Sequence, residues 1–325
     1  MRATSVDEHD ASPHACEPAR LTLSVFAPSG VLAEPAAARR ALRRLLSIGF
    51  DASLDATALA RSQRFAGDDD TRLAALHRVA DAAPSVAMAL RGGYGLTRLL
   101  DRIEWPRIAR SIERGTRWVG YSDFTALHLG ALAHGALATR SPGGLWAGPL
   151  AHDDFSRTAE QGGVEEVTEA CFLEAMHGEL EAVGFRTEPG FDGLEARGTL
   201  WGGNLTVLLS LLGTKHWPRI KGGILFLEDV NEHPYRVERG LLQLHQAGVL
   251  QAQKAVVLGA FSDWRKSPLD RGYGLKTVVT QLRAATRTPI LSGLPFGHVA
   301  TKVCLPVGRR VNLVVEGRDV LLAWG

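Results

Sequence analysis

The chain has 325 residues, of which 45% are hydrophobic, enough for two domains or one large one. Its 37 basic and 35 acidic residues nearly cancel, so the charge gives no reason to expect nucleic acid or a membrane surface as a partner. Three widely separated cysteines, with no CxxC or Cys/His spacing, support neither a disulfide framework nor a zinc site.

The first 19 residues are polar, and we expect them to form a disordered tail. They lack the apolar stretch of a secretory signal, and the run LTLSVFA (residues 21–27) that follows is too short to span a bilayer. These features predict a soluble, cytoplasmic protein.

The first half of the chain alternates predicted strands with predicted helices. LTLSVFA predicts a buried strand, and the helix that opens at Pro35 places Leu42, Leu45 and Leu46 on one face. DDDTRLAALHRVADA (residues 68–82) predicts a second helix with acids at its start, and SVAMAL (residues 85–90) predicts the next strand. This alternation is typical of βαβ units and a mostly parallel sheet.

The pattern weakens between about residues 151 and 193, which we interpret as a connection between domains. The second half is richer in predicted strands: GGILFLEDV (222–230), KAVVLGAF (254–261), TPILSGLPFG (288–297), VNLVVEG (311–317) and DVLLAWG (319–325). Helices are predicted at YRVERGLLQLHQAG (235–248) and LKTVVTQLRAAT (275–286). The sequence therefore predicts an α/β fold with a β-rich second half.

Ser122 stands at a predicted strand-to-helix turn within RWVGYSDFTALHLGAL (residues 117–132). Such a turn exposes a nucleophilic serine in the G-x-S-x-G elbow, although Phe124 occupies the position of the second glycine here. The alternative is that Ser122 or Asp123 only caps the helix. The local sequence leaves both interpretations open.

A serine nucleophile needs a histidine base and an acceptor that orients the imidazole. His298 lies in the shaped turn LSGLPFGHVATK at the end of a predicted strand, where α/β proteins build their sites. Glu228 and Asp229 end an apolar run, and a buried carboxylate there needs a partner. That partner is either an imidazole or one of Arg236 and Arg239. In a regular strand the two acids face opposite sides, so only one of them serves the site.

The loop in ALRGGYGLTRLL follows a predicted strand, and its adjacent glycines permit close approach to a ligand. It matches neither a P-loop nor GxGxxG, which argues against a nucleotide site. A backbone N–H of this loop, that of Gly93, is a candidate second oxyanion donor. Arg91 is a candidate for binding a substrate carboxylate, and Tyr94 is a further candidate substrate-binding residue.

Six blocks together resemble one family. APSG, RGGYG, GYSD, GGNL, LEDVNEHPYRVER and GLPFGH resemble the ordered blocks of the LD-carboxypeptidases (muramoyltetrapeptide carboxypeptidases). The resemblance extends from Leu21 to Trp324. It implies a serine peptidase that releases terminal D-alanine from murein tetrapeptides during cell-wall recycling.

The resemblance also implies site residues and architecture. By position the catalytic triad falls on Ser122, Glu228 and His298, and the backbone N–H groups of Asp123 and Gly93 form the oxyanion hole. The implied domains are an N-terminal Rossmann-like domain (20–155) and a C-terminal β-rich domain (195–325), joined by a linker (156–194). A homodimer is implied, and neither a metal nor another cofactor is required.

Two other functions remain open. The chain also resembles the microcin C immunity peptidases, which use the same triad on a peptidyl-nucleotide and are expected to stack an aromatic ring on the base. Trp146 and Trp217 are the candidates for that ring. The second of these functions is that of a general serine hydrolase, because a triad alone does not determine which acyl group is cleaved. A non-catalytic binding protein on the same scaffold is disfavoured because all three triad positions are filled.

Overall fold

The computed structural model of the protein describes residues 20–136 and 143–324, so the predicted tail of residues 1–19 lies outside the described residues. The strands of the described part are β1 (Thr22–Phe26), β2 (Asp51–Leu54), β3 (Val86–Ala89), β4 (Arg117–Gly120), β5 (Gly144–Ala147), β6 (Ala182–Arg186), β7 (Glu195–Asn204), β8 (Ile224–Val230), β9 (Ala255–Ser262), β10 (Ile290–Ser292), β11 (Leu305–Val307), β12 (Arg310–Glu316) and β13 (Asp319–Ala323). Its α-helices are α1 (Pro35–Ser47), α2 (Asp69–Ala82), α3 (Trp105–Glu113), α4 (Thr125–Ala133), α5 (Ala151–Phe155), α6 (Glu166–His177), α7 (Leu205–Leu211), α8 (Pro234–Gln246) and α9 (Leu275–Ala285).

The first sheet has the strand order β11-β5-β4-β3-β1-β2. Strands β1 to β5 are parallel, and β11 joins β5 antiparallel at the edge. The order 2-1-3-4-5 is that of a doubly wound fold, in which ligands bind at the carboxyl ends of the strands where the order reverses. The predicted Rossmann-like, mostly parallel N-terminal sheet is confirmed.

The second sheet is mixed, with the order β10-β9-β8-β7-β12-β13-β6. Its first four strands are parallel, and the remaining three pair antiparallel. Strand β8 lies between β7 and β9 and is buried along most of its length, as the unbroken apolar run had predicted. This sheet confirms the β-rich α/β architecture of the second half.

The prediction that Leu42, Leu45 and Leu46 form the buried face of α1 is partly wrong. Ala37, Ala38, Ala41 and Leu45 are the buried residues of this helix, whereas Leu46 is 40% exposed. Residues 37, 41 and 45 recur at a spacing of four and form the inner stripe, and Leu46 lies one residue off that stripe, about 100° around the helix. Small alanine side chains let the helix approach the sheet closely.

Helix α6 and strand β6 lie in the predicted linker, and strand β11 of the predicted C-terminal domain joins the first sheet. Helix α6 packs on the first half of the chain, since the Phe172 ring lies 5.4 Å from that of Phe50 and 5.2 Å from that of Phe155. Strand β6 pairs with β13 in the second sheet, and β11 returns from the second half of the chain to the first sheet. The domain boundaries themselves remain predictions.

None of the helices in residues 20–136 and 143–324 has both the length and the apolar character needed to cross a membrane.

Candidate active site

Ser122 occupies a strained turn between β4 and α4. Strand β4 ends at Gly120, Tyr121 is extended, and Ser122 begins a short 3₁₀ turn that leads into α4. Its φ of 62° lies in the left-handed region, which serine rarely adopts and which is typical of functional sites. Neither Ser122 nor Asp123 makes a side-chain cap at this helix start, so the capping interpretation is wrong.

A chain of hydrogen bonds joins Ser122, His298 and Glu228. His298 Nδ1 lies 2.8 Å from Glu228 Oε2, and His298 Nε2 lies 3.1 Å from Ser122 Oγ. Because a carboxylate only accepts, Nδ1 carries the proton, and Nε2 is left to accept from the serine hydroxyl. The geometry therefore joins the three predicted residues in one chain of hydrogen bonds.

Glu228 is fully buried, with 0% exposure. Its second oxygen, Oε1, accepts a hydrogen bond of 3.1 Å from Asn204 Nδ2, so both oxygens are paired. Neither Arg236 nor Arg239 pairs with it in the described part of the chain, and Arg236 instead lies 3.7 Å from Glu232. The arginine alternative for Glu228 is wrong.

Glu228 and Asp229 share Asn204 as a partner, and of the two acids only Glu228 contacts His298 in the described part of the chain. The register of β8 against β9 shifts between Leu227 and Asp229, and this irregularity lets both carboxylates reach one side chain. Asn204 Nδ2 donates to Asp229 Oδ1 at 2.8 Å as well as to Glu228, while Thr206 donates to Asp229 Oδ2. Asn204 lies in the GGNL block but is not among the predicted site residues.

The environment of His298 sets its protonation. Burial lowers the pKa of the imidazole, but the hydrogen bond and the charge of Glu228 outweigh this effect, so the pKa is raised above its ordinary value. The His298 side chain is 19% exposed. Its ring packs edge-on against that of Tyr121, with 4.8 Å between the ring centres. His298 is thus a partly accessible imidazole held by a buried carboxylate.

Activity is expected to rise with pH through the pKa of His298 and then to level off, because only the neutral imidazole accepts the serine proton. Since that pKa is raised above 6.5, the midpoint of the kcat/KM profile is expected above about 6.5. Glu228→Gln removes the charge that raises the pKa and should move the midpoint down. The profile is measured from about pH 5 to 9, and a wild-type midpoint below about 6 would contradict this assignment.

The loop after β3 lies against Ser122 through Gly92 rather than Gly93. A Cβ atom added to Gly92 would lie 2.9 Å from both Cβ and Oγ of Ser122, so only glycine fits this close approach. An added Cβ at Gly93 would instead approach Gly30 at 3.4 Å. Among the described residues, the amides of Gly93 and Asp123 donate to no backbone carbonyl, and their oxyanion role remains a prediction.

Arg91 and Tyr94 flank this loop differently. Arg91 is half-buried, and its Nη1 donates to the carbonyl oxygen of Val31 at 2.8 Å, which fixes the guanidinium beside the loop. Tyr94 is 45% exposed, and its ring packs 6.0 Å from that of Phe65. Their roles in substrate binding remain predictions.

In residues 20–136 and 143–324 no group of three or more His, Cys, Asp or Glu side chains is arranged to hold a metal ion.

A serine on a strained strand-to-helix turn, hydrogen-bonded to a histidine that is held by a buried glutamate, is the arrangement of a serine hydrolase. Two protein-family matches identify the family of serine hydrolases to which the chain belongs. The LD-carboxypeptidase N-terminal domain matches residues 23–140, and the LD-carboxypeptidase C-terminal domain matches residues 197–313. The chain belongs to the LD-carboxypeptidase family, and it is an enzyme, a carboxypeptidase of the serine type.

Individual relatives align with this chain over nearly its full length. The murein tetrapeptide carboxypeptidase of Pseudomonas aeruginosa is 31% identical over 93% of this chain and 94% of its own. The crystal structure of muramoyltetrapeptide carboxypeptidase from Oxalobacter formigenes is 37% identical, with a TM-score of 0.83 over 94% of this chain and 98% of that one. The microcin C7 self immunity protein MccF, in complex with aspartyl sulfamoyl adenosine, shares the fold with a TM-score of 0.80 at 20% identity, covering 93% of this chain and 95% of its own.

Proposed function

We propose that the protein hydrolyses the L,D peptide bond that releases terminal D-alanine from murein tetrapeptides, with Ser122 as nucleophile, His298 as base and Glu228 as orienting acid. The observation that carries the proposal is the hydrogen-bond chain from Glu228 through His298 to Ser122. The substrate class is supported by the activity for which the Pseudomonas and Oxalobacter relatives are named. We also propose that the enzyme serves cell-wall recycling.

The reaction begins with acylation of the serine. Oγ of Ser122 attacks the carbonyl carbon while His298 Nε2 takes the hydroxyl proton, and the negative charge of Glu228 stabilises the imidazolium that forms. The C–N bond then breaks, and His298 returns the proton to the amine of the departing D-alanine. Water next attacks the ester carbonyl and gives a proton to His298. The bond between the carbonyl carbon and Oγ of Ser122 then breaks, His298 returns the proton to Oγ, and the shortened peptide leaves as the free acid.

Backbone N–H groups stabilise the tetrahedral oxyanion. We propose those of Asp123 and Gly93, and the contact of Gly92 with Ser122 supports a donor from this loop. Losing one such donor typically raises the barrier by about 2.7–4 kcal/mol. Arg91 is proposed to bind the terminal carboxylate of the substrate, because its Nη1 is held by Val31 while other guanidinium N–H groups remain as donors.

The test is release of free D-alanine from a murein tetrapeptide, with a twin peptide that ends in L-alanine as the matched control. We expect release from the first peptide and little from the second. No release from either peptide by folded enzyme would contradict the proposed substrate. Because the triad is independent of the leaving group, a serine-directed fluorophosphonate probe then reports separately whether Ser122 is activated.

A peptidyl-nucleotide substrate is the alternative that the same assay separates. Trp146, one of the two rings predicted to stack on the nucleotide base, lies within β5 and is only 2% exposed, so it cannot stack on a bound base. Trp217 packs edge-on against Trp201 at 5.5 Å. Hydrolysis of an aminoacyl sulfamoyl nucleoside without D-alanine release would favour this alternative, and hydrolysis of simple esters alone would favour a general serine hydrolase.

The homodimer implied by the resemblance and the cytoplasmic location predicted from the N-terminal sequence remain predictions. Light scattering on the purified protein measures the first, and fractionation of the producing cells measures the second.

A further inference from the structure

The residues from Gly297 to Val303 form the segment that we call the histidine loop. It follows β10 of the second sheet and precedes β11, which pairs with β5 in the first sheet. Ser122 follows β4 of the first sheet, whereas Glu228 lies on β8 of the second. His298 therefore sits where the chain crosses between the sheets, and its contact with Ser122 depends on how this loop is held.

A buried ion pair joins the histidine loop to α5. Lys302 and Asp154 are in contact, with only 2% and 4% of their side chains exposed. Lys302 Nζ also donates to the carbonyl oxygen of Val299 at 2.6 Å, and Asp154 accepts from the backbone N–H of Leu150 at 2.8 Å. Because a buried ion pair gains little stability over apolar residues of similar volume, its presence points to a positioning role.

The Tyr121 ring connects this ion pair to the reacting groups. Lys302 Nζ lies 5.3 Å from the centre of that ring, which is within cation–π range. The same ring packs edge-on against His298, and Tyr121 is the residue directly before Ser122. A displacement of Lys302 would thus shift the Tyr121 ring, and with it both His298 and the strained turn at Ser122.

Thr168 of α6 holds the backbone of the same loop. Its Oγ1 accepts from the N–H of Lys302 at 2.8 Å and donates to the carbonyl oxygen of Ala300 at 3.0 Å. From the second sheet, Ser262 Oγ donates to the carbonyl oxygen of His298 at 3.0 Å. Helices α5 and α6 thereby hold the end of the loop near Lys302, and strand β9 holds the end at His298.

We propose that Lys302, Asp154 and Thr168 are positioning residues that hold the histidine loop against α5 and α6 and so keep His298 within hydrogen-bond reach of Ser122. This inference rests on the proposed roles of Ser122 and His298. None of the three residues needs to touch the substrate. Their effect is therefore expected on the activation of the nucleophile and on kcat, while KM for the peptide is expected to change little.

The test replaces the ion pair by an apolar pair of similar size, Lys302→Met with Asp154→Leu, which avoids leaving one buried charge unpaired. We expect a folded variant in which the distance between His298 Nε2 and Ser122 Oγ exceeds hydrogen-bond reach in its crystal structure. We also expect its rate of reaction with a fluorophosphonate probe to fall by about 10- to 100-fold, the size of effect that a misplaced group produces. An unchanged distance, or an unchanged rate, in the folded variant would overturn the proposal.

Two further variants complete the experiment. Arg44→Met with Glu169→Leu removes a different ion pair, in which Arg44 of α1 lies 2.5 Å from Glu169 of α6, and should leave the probe rate unchanged. Thr168→Val is a milder change that is expected to lower the rate in the same direction, and it carries the test if the double variant does not fold. A wild-type enzyme that fails to react with the probe would contradict the proposed nucleophile, whereas the distance in the crystal would still decide the positioning role.

Discussion

Replacing Ser122 by alanine is expected to lower kcat for D-alanine release by about 10⁴-fold or more, because the acyl-enzyme can no longer form. The side chain that is removed is the one whose Oγ lies 3.1 Å from His298 Nε2. Single-turnover release from a murein tetrapeptide by folded variant and wild type measures the effect. A residual rate within about 100-fold of wild type would show that another group carries the reaction.

Ser122→Gly is the matched control for this change. It also removes Oγ, but glycine adopts the left-handed backbone without the penalty that serine and alanine pay at a φ of 62°. We therefore expect Ser122→Gly to be equally inactive and to have a free energy of unfolding about 1 kcal/mol greater than that of Ser122→Ala. Calorimetry measures the difference, and equal stabilities would mean that the turn is not strained.

Glu228→Gln is expected to lower kcat by about 10³- to 10⁴-fold while the fold is retained, as is typical when the acid of a triad becomes an amide. Asn204 Nδ2 donates to Oε1 of Glu228, so the carbonyl oxygen of a glutamine is held on that side. The amide nitrogen then faces His298 and donates to Nδ1. The proton of the neutral imidazole moves to Nε2, which can no longer accept from Ser122.

The control is Glu238→Gln, the same chemical change at a carboxylate that accepts a hydrogen bond of 2.6 Å from Tyr273. Its rate of D-alanine release is expected to match wild type. Nuclear magnetic resonance of the histidine ring nitrogens in Glu228→Gln should show the proton of His298 on Nε2. A kcat within about tenfold of wild type would argue that Glu228 only fills space in the second sheet.

The three residues of the proposed triad could be predicted because each stands in a short, ordered block whose local pattern is strong. GYSD follows a strand, LED ends an apolar run, and GLPFGH makes a shaped turn, so Ser122, Glu228 and His298 could each be placed at the end of a strand. The local pattern alone did not separate a nucleophile from a helix cap. The order of the blocks along the chain indicated the family.

The features that sequence reasoning missed depend on contacts between distant residues. The shift in β8 that brings Glu228 and Asp229 to the same Asn204 arises from its pairing with β9, which no local pattern reports. Strand β11 is only three residues long and pairs with β5, far away in the sequence. The Lys302–Asp154 ion pair joins residues 148 positions apart, and neither side chain looks buried in its own segment.

The most direct measurement is mass spectrometry of the enzyme quenched with acid during turnover of a murein tetrapeptide. We predict a covalent adduct on the peptide that contains Ser122, with the mass of the substrate acyl group after loss of D-alanine, and no adduct in Ser122→Ala. Continued release of D-alanine with no adduct, or with an adduct on another residue, would contradict the assignment of Ser122 as the nucleophile.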